Sequence, residues 1–480
     1  MRFPPIFRLI AATTLIRLAF AATTGLGVDE SYMVTAGRVL SLGYFDHPPA
    51  SWWLSWGAAH LLGSEAPVVV RLPFILLFAL SQGFMWRIGC LVADRRAAFW
   101  TVVALNVSPV FGVTSGSWVL PDGPLDAALL GATLCLLRAL PSDRGAVWWW
   151  AGAGVCAGMA LFSKYSAVLT MGGAFLYLVF SPEHRRWLRR PEPYGAVMLA
   201  VVVFSPVLVW NAGHGWASFA FQGDRALGLR FRPWLPVQVL AGEALFVLPW
   251  LWVPMVIVFV QGFRRGAAWR QRLLVCLAAP PIVGFALISA WSSQRILFHW
   301  AAPGYLMLFP LIGDMISRTW MRRVVLGSAG VVVAAMVVIA GQIQFDWLGG
   351  RLAAVVRTDP TAEGLDWTSV RDDLRARGLL APGTVVAALN WRDGGKFGYA
   401  LGPDVTMLCL NSDARQLGFA HPLHDYIGRD ALLLVVDPVG TDASAWFQAV
   451  EREAPASVRL NGRLLRSVTV LRGTGLRPRP

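Results

Sequence analysis

Apolar residues run in long blocks along this chain, separated by short polar turns rich in arginine. Windows long enough to span a bilayer occur near 8–25, 66–91, 97–116, 124–140, 147–162, 166–181, 194–211, 237–261, 273–291, 300–317 and 324–343. An apolar helix of about 20 residues crosses the hydrocarbon layer, so the pattern predicts about eleven transmembrane helices. Two stretches depart from it. Residues 26–65 form a long polar and aromatic interruption after the first helix. From 344 onward, apolar strand-like runs (Thr384–Leu389, Val405–Leu410, Ala431–Val436) alternate with turn-rich and helical pieces. That alternation predicts a small α/β domain. The expected fold class is an all-α polytopic membrane protein over 1–343, with a C-terminal α/β domain over 344–480.

Composition supports the bilayer reading. Hydrophobic residues make up 56% of the chain, charged residues 15%, and mean hydropathy is +0.54, more apolar surface than a soluble domain hides. The net charge of +14 would suit nucleic acid if it were spread over one surface, but its placement excludes that partner. With the N-terminus in the cytoplasm, the cytoplasmic turns hold Arg2, Arg8, Arg95, Arg96, Arg144, Arg185, Arg186, Arg189, Arg190, Arg264, Arg265, Arg270, Arg272, Arg318, Arg322 and Arg323. The opposite turns hold Arg38, Lys164, Arg225, Arg230, Arg232 and Arg295. Sixteen against six is the positive-inside bias, and it sets the orientation. An odd number of spans then puts the C-terminal domain outside the cytoplasm. The first apolar segment reads as a retained helix and not a cleaved signal, because many spans follow. Four of the five cysteines fall in apolar segments and Cys409 stands alone in the tail, so no disulfide framework is expected there.

Candidate chemistry gathers in the turns on the outer side. Asp29, Glu30, Ser31 and Tyr32 place a carboxylate pair just beyond the first helix. An amphipathic helix is expected over Met33–Leu42, followed by Tyr44-Phe45-Asp46-His47-Pro48-Pro49. The double proline ends that helix, and another restarts at Ser51, whose Trp52, Trp53 and Trp56 suit a helix lying in the interface. Such a loop either anchors the membrane surface or presents carboxylates for general-base work or cation binding.

A second pair, Asp122 and Asp126, shares a helix face at i and i+4 if helix begins at the Pro121-Asp122-Gly123-Pro124 turn. Asp122 reads either as an N-cap or as a site residue. Asp126 lies in apolar sequence and needs a partner. Lys164 is one of only two lysines, with Lys396. It either snorkels to the headgroups or holds a phosphate as a point charge. The turn Gln294–Trp300 adds Arg295 and His299, and Arg17 and Glu243 also require partners within apolar sequence. Polar groups concentrated at one face make poor pore linings, which need polarity through the full depth. They suit the handling of a lipid-borne anion.

Asp29-Glu30, the Tyr44–Pro49 run and Arg71-Leu72-Pro73 together resemble the GT-C class of polyprenyl-phosphate-sugar glycosyltransferases. The likeness is to bacterial relatives of protein O-mannosyltransferases, a grouping that includes the lipid A aminoarabinose transferase and lipopolysaccharide galacturonosyltransferases. It covers roughly residues 8–310, with the opening loop the most specific part. The resemblance implies a GT-C fold and inverting transfer at the extracytoplasmic face of the inner membrane, from a polyprenyl-phosphate sugar donor to a lipid or protein acceptor. It implies Asp29 as catalytic base with Glu30 and Tyr32 beside it. It also implies a divalent metal ion at Asp46 and Asp122, as in some members, and a basic residue at Lys164. Where the aminoarabinose transferase has basic residues near the donor phosphate, this chain has Tyr32 and His47. The phosphate is therefore expected to meet Arg38, His47, Lys164, Arg295 or His299. Two other classes compete: a transporter or flippase of lipid-linked sugars, and a membrane anchor whose tail binds a partner. The first predicts broken, charged helices at mid-membrane in related halves, which the sequence lacks, and the second leaves the carboxylate loop unexplained.

Overall fold

The computed structural model describes residues 4–142, 144–226, 231–292, 296–351, 359–436 and 443–478. Fifteen helices cover the first three quarters of the chain. They are α1 Pro5–Thr23, α2 Val28–Gly37, α3 Ala50–Leu62, α4 Pro67–Val92, α5 Arg95–Val107, α6 Asp122–Ala139, α7 Ala146–Ser163, α8 Ala167–Phe180, α9 Pro191–Gly213, α10 Ala217–Ala226, α11 Leu235–Val247, α12 Pro249–Gly262, α13 Trp269–Ser289, α14 Ala302–Arg318 and α15 Met321–Phe345. Every predicted apolar window falls on helix. Among the described residues, α1, α4, α7, α9, α13 and α15 are long and apolar enough to cross a membrane. Counting each bent pair as one span raises the six to eight, and the remaining windows are shorter or less apolar helices. This is a multi-pass membrane protein.

Three local expectations need correction. The span at 237–261 is two helices bent by 117°. Pro249 brings no N–H to continue the ladder, and Leu248 before it lies outside helical backbone, at φ 89° and ψ 126°. The loop helix occupies 28–37, not 33–42, because Glu30 turns back to accept the Gly27 N–H at 2.9 Å and so starts the helix early. Trp52 does not lie in an interface: it is fully buried, whereas Trp53 is exposed.

The chain divides into two compact units. One comprises Met1–Arg17, Ser41–Ser51 and Leu72–Val333; the other comprises Leu18–Leu40, Trp52–Arg71 and Ala334–Pro480. The first unit is a helical core around Phe111, Leu129, Leu274, Tyr305 and Phe309. Small residues set its closest approach. A Cβ on Gly154 would sit 2.3 Å from the Ala196 carbonyl oxygen, and one on Gly158 would sit 2.8 Å from that of Ala200, so α7 and α9 meet backbone to backbone. Two of the three charges that the sequence left without partners find them here. Arg17 donates to the carbonyls of Thr13 and Gly112 and lies over the Phe78 ring, and Glu243 accepts from the Tyr305 hydroxyl at 2.7 Å.

The second unit holds a six-stranded sheet, β1 Val385–Ala388, β2 Thr406–Cys409, β3 Ala431–Val436, β4 Phe447–Arg452, β5 Ala456–Leu460 and β6 Arg463–Leu476. Its order is β2-β1-β3-β6-β4, with β5 also on β6; β1 runs parallel to β2 and β3, and β6 is antiparallel to its neighbours. Strands β1 and β3 are apolar on both faces because both faces are covered. Val386, Leu434 and Phe397 pack on one side, and Leu408, Leu433 and Phe447 on the other.

Candidate functional site

Within the second unit, the end of α1 and the start of α2 are joined by one arginine. Arg71 donates from Nε to Glu30 Oε1 at 2.8 Å and from Nη2 to Oε2 at 2.6 Å, a two-pronged pair buried on both sides. Its other N–H groups reach the Thr24 carbonyl and hydroxyl at 3.0 and 2.9 Å and the Gly25 carbonyl at 2.7 Å. Glu30 is thereby committed to structure.

Its neighbour Asp29 is in the opposite situation. It sits in the first turn of α2, open to solvent, and makes no hydrogen bond or ion pair among the described residues. Surrounding protein raises its carboxyl above the ordinary value by partial desolvation. Arg392 and Arg415 oppose that shift, and the charges of Glu30 and Glu363 add to it. A carboxylate that is accessible, unpaired and made more basic by its surroundings is equipped to accept a proton.

The other residues singled out in this unit are engaged. Tyr32 is buried, accepts from the Gln416 N–H at 2.9 Å and packs edge-on against Trp52 and Trp391. Arg38 spends its guanidinium on Glu65, at 2.9 and 2.7 Å, and on the carbonyls of Gly398 and Gly402.

A separate group forms in the first unit. Asp122 is the first residue of α6 and makes no capping bond; its Oδ1 accepts from Lys164 Nζ at 2.8 Å. The imidazoles of His299 and His47 lie within electrostatic reach of the same carboxylate. Asp126, one turn on, is buried and its Oδ2 has no partner among the described residues. His47 and Lys164 line a cavity of about 260 Å³ with Gln222, Tyr165, Phe285 and Trp300, so an imidazole and an ammonium share a lining that is otherwise largely apolar. Asp46 is buried beside it in sequence, its backbone carbonyl taking a hydrogen bond from Gln222 at 2.7 Å. Four of the polar turns singled out in the sequence thus converge here. Arg295 lies outside the described residues.

The donor set does not fit a metal centre. Among the described residues no group of three or more His, Cys, Asp or Glu side chains is placed to hold an ion, and the Asp122 carboxylate is neutralised by an ammonium.

Residues 46–210 match the family model of dolichyl-phosphate-mannose-protein mannosyltransferase. The lipid A galacturonosyltransferase RgtD of Rhizobium johnstonii is 24% identical over 295 residues, covering 61% of this chain; the chain spans 60% of RgtD's length. ArnT from Cupriavidus metallidurans in the apo state matches over 97% of both chains with a TM-score of 0.66 at 15% identity. The same protein bound to undecaprenyl phosphate gives 0.65 at 14%. The chain has the GT-C glycosyltransferase fold.

Sequence reasoning missed several residues in both groups. Arg392 and Arg415 act on Asp29 from more than three hundred positions away, and Gln222 joins the cavity from a segment read only as a turn. One signal was available for Arg71: a buried cation in an apolar helix requires a carboxylate, here Glu30, 41 positions earlier.

Proposed function

We propose that this protein is an inverting glycosyltransferase that moves a sugar from a polyprenyl-phosphate donor to a hydroxyl of an envelope acceptor. That acceptor is lipid A, lipopolysaccharide, another glycolipid or a protein. Asp29 removes the proton of the acceptor hydroxyl as its oxygen attacks the anomeric carbon. The bond from that carbon to the phosphate oxygen breaks, and the polyprenyl phosphate leaves with the electron pair. Lys164, His47 and His299, grouped in the first unit, suit the donor phosphate, the histidines as imidazolium or as neutral N–H donors. The observation that carries the reading is the accessible, unpaired and partly desolvated Asp29 carboxylate beside a Glu30 held by Arg71 and the Gly27 N–H. Names of relatives support the reactants: RgtD is a lipid A galacturonosyltransferase, and ArnT has been seen with undecaprenyl phosphate. The positive-inside bias of the arginine-rich turns supports an orientation in which Asp29 and the region 344–480 face the outside of the inner membrane.

Mass spectrometry of envelope glycolipids and glycoproteins from cells with and without the gene tests this function. A mass difference of one sugar is expected, and it names sugar and acceptor class together. Unchanged glycoconjugates despite proven expression would contradict the proposal and favour transport of lipid-linked sugars.

Lys164 offers a second test. One of its three N–H groups goes to Asp122, leaving two for phosphate. Lys164→Gln is expected to weaken binding of undecaprenyl phosphate by about 10- to 100-fold, the worth of one hydrogen bond to a charged group. Titration in detergent reads this directly.

A further inference from the structure

The chain's other lysine is buried in the second unit. Lys396, 2% exposed, lies on the helix Trp391–Leu401. Its ammonium has three N–H donors, and three backbone carbonyls receive them: Leu26 at 2.7 Å, Glu363 at 2.9 Å and Leu365 at 2.7 Å. The flat fork of an arginine could not converge on three acceptors from one atom.

Leu26 directly precedes the first turn that carries Asp29, and it is held on both sides. Its N–H goes to Asp366 Oδ1 at 2.8 Å while its carbonyl takes Lys396, and the N–H of Gly25 goes to the Gly364 carbonyl at 2.9 Å. No side chain fits at Gly25, where a Cβ would stand 2.5 Å from Asp366 Oδ1. The lysine's helix is seated on α2 through glycines. A Cβ on Gly395 would fall 2.6 Å from the Tyr32 Cα, and Thr35 donates its hydroxyl to the Gly395 carbonyl at 3.0 Å.

We propose that Lys396 is a positioning residue for Asp29: by gripping the Leu26 carbonyl it fixes the start of α2 and hence the direction of the Asp29 carboxylate. This rests on Asp29 being the base. The clamp is pH-sensitive. Burial lowers Lys396 to about 8, against the pull of Asp366, Glu30 and Glu363, with Arg71 adding to the lowering. Above that pH the amine keeps two N–H groups and can no longer satisfy three carbonyls.

The test measures kcat and donor KM of the purified full-length protein in detergent, with lipid A as acceptor. The donors are undecaprenyl-phosphate-linked galacturonic acid, aminoarabinose and mannose, and the best one is taken forward. Lys396→Met is expected to lower kcat by about 10²-fold with donor KM within about twofold, the signature of a misplaced base rather than lost donor binding. Lys396→Arg keeps the charge and is expected not to restore the rate. Amide hydrogen exchange over residues 25–32 is expected to quicken in both variants. Should neither variant fold, the parent decides: its kcat should fall above pH 8 at constant KM, and a flat profile to pH 9.5 overturns the assignment. If Asp29→Asn is inactive while Lys396→Met keeps the parental kcat, the lysine's role alone is wrong. If Asp29→Asn transfers at the parental rate, the reading of the base falls first and this one with it.

Discussion

Asp29→Asn is expected to lower the rate of sugar transfer by about 10²- to 10⁴-fold, the usual contribution of a positioned general base. Asparagine preserves the size and the helix position but cannot take a proton near neutral pH. The substituted side chain disturbs little, since Asp29 makes no hydrogen bond or ion pair among the described residues, so expression and unfolding should match the parent. Glu30→Gln is the informative contrast, because it stands next in sequence yet is bound to Arg71 on both oxygens. That substitution should harm stability, and rate only through stability. Single-turnover transfer, measured beside thermal unfolding, separates the two outcomes.

Arg71→Met should produce the largest loss of stability. It removes five hydrogen bonds at once: two to Glu30, two to Thr24 and one to Gly25. Methionine fills part of the volume and leaves the Glu30 carboxylate buried without its cation, which costs about 3–5 kcal/mol. The double variant Glu30→Gln, Arg71→Met should recover much of that loss, since no uncompensated charge remains. Chemical unfolding in detergent measures both. A loss below about 1 kcal/mol for the single variant, the range of an exposed ion pair, would show that the pair is not buried in the folded protein.

The helical architecture was legible because apolar windows in a membrane protein carry their own explanation, and each fell on a helix. The break at Leu248 could have been read as well: Pro249 lies mid-window, and a proline there disturbs the turn before it. Strands β1, β2 and β3 announced themselves as apolar runs, while β4 and β6 did not. Charged residues such as Glu451, Arg452, Arg466 and Arg472 interrupt their pattern on exposed and half-buried positions. Around the candidate site, a carboxylate pair placed immediately after an apolar helix marked Asp29 and Glu30, and the family resemblance singled out Asp29. What surrounds it was not legible. Lys396 meets Leu26 across 370 positions, and local spacing carries no information about a contact that only the tertiary fold creates. Asp122 shows the same gap from the other side, since its turn suggested capping and its partner proved to be an ammonium 42 residues away.

The most direct measurement is the pH dependence of kcat/KM for the parent and for Asp29→Asn, which reports the ionisations of the free enzyme. Because desolvation raises the Asp29 carboxyl and a base acts only when ionised, the parent should lose activity on acidification with a midpoint above the ordinary carboxyl value of about 4. The residual activity of Asp29→Asn should lack that limb. An identical acid limb in both proteins, at comparable rates, would show that some other group takes the proton.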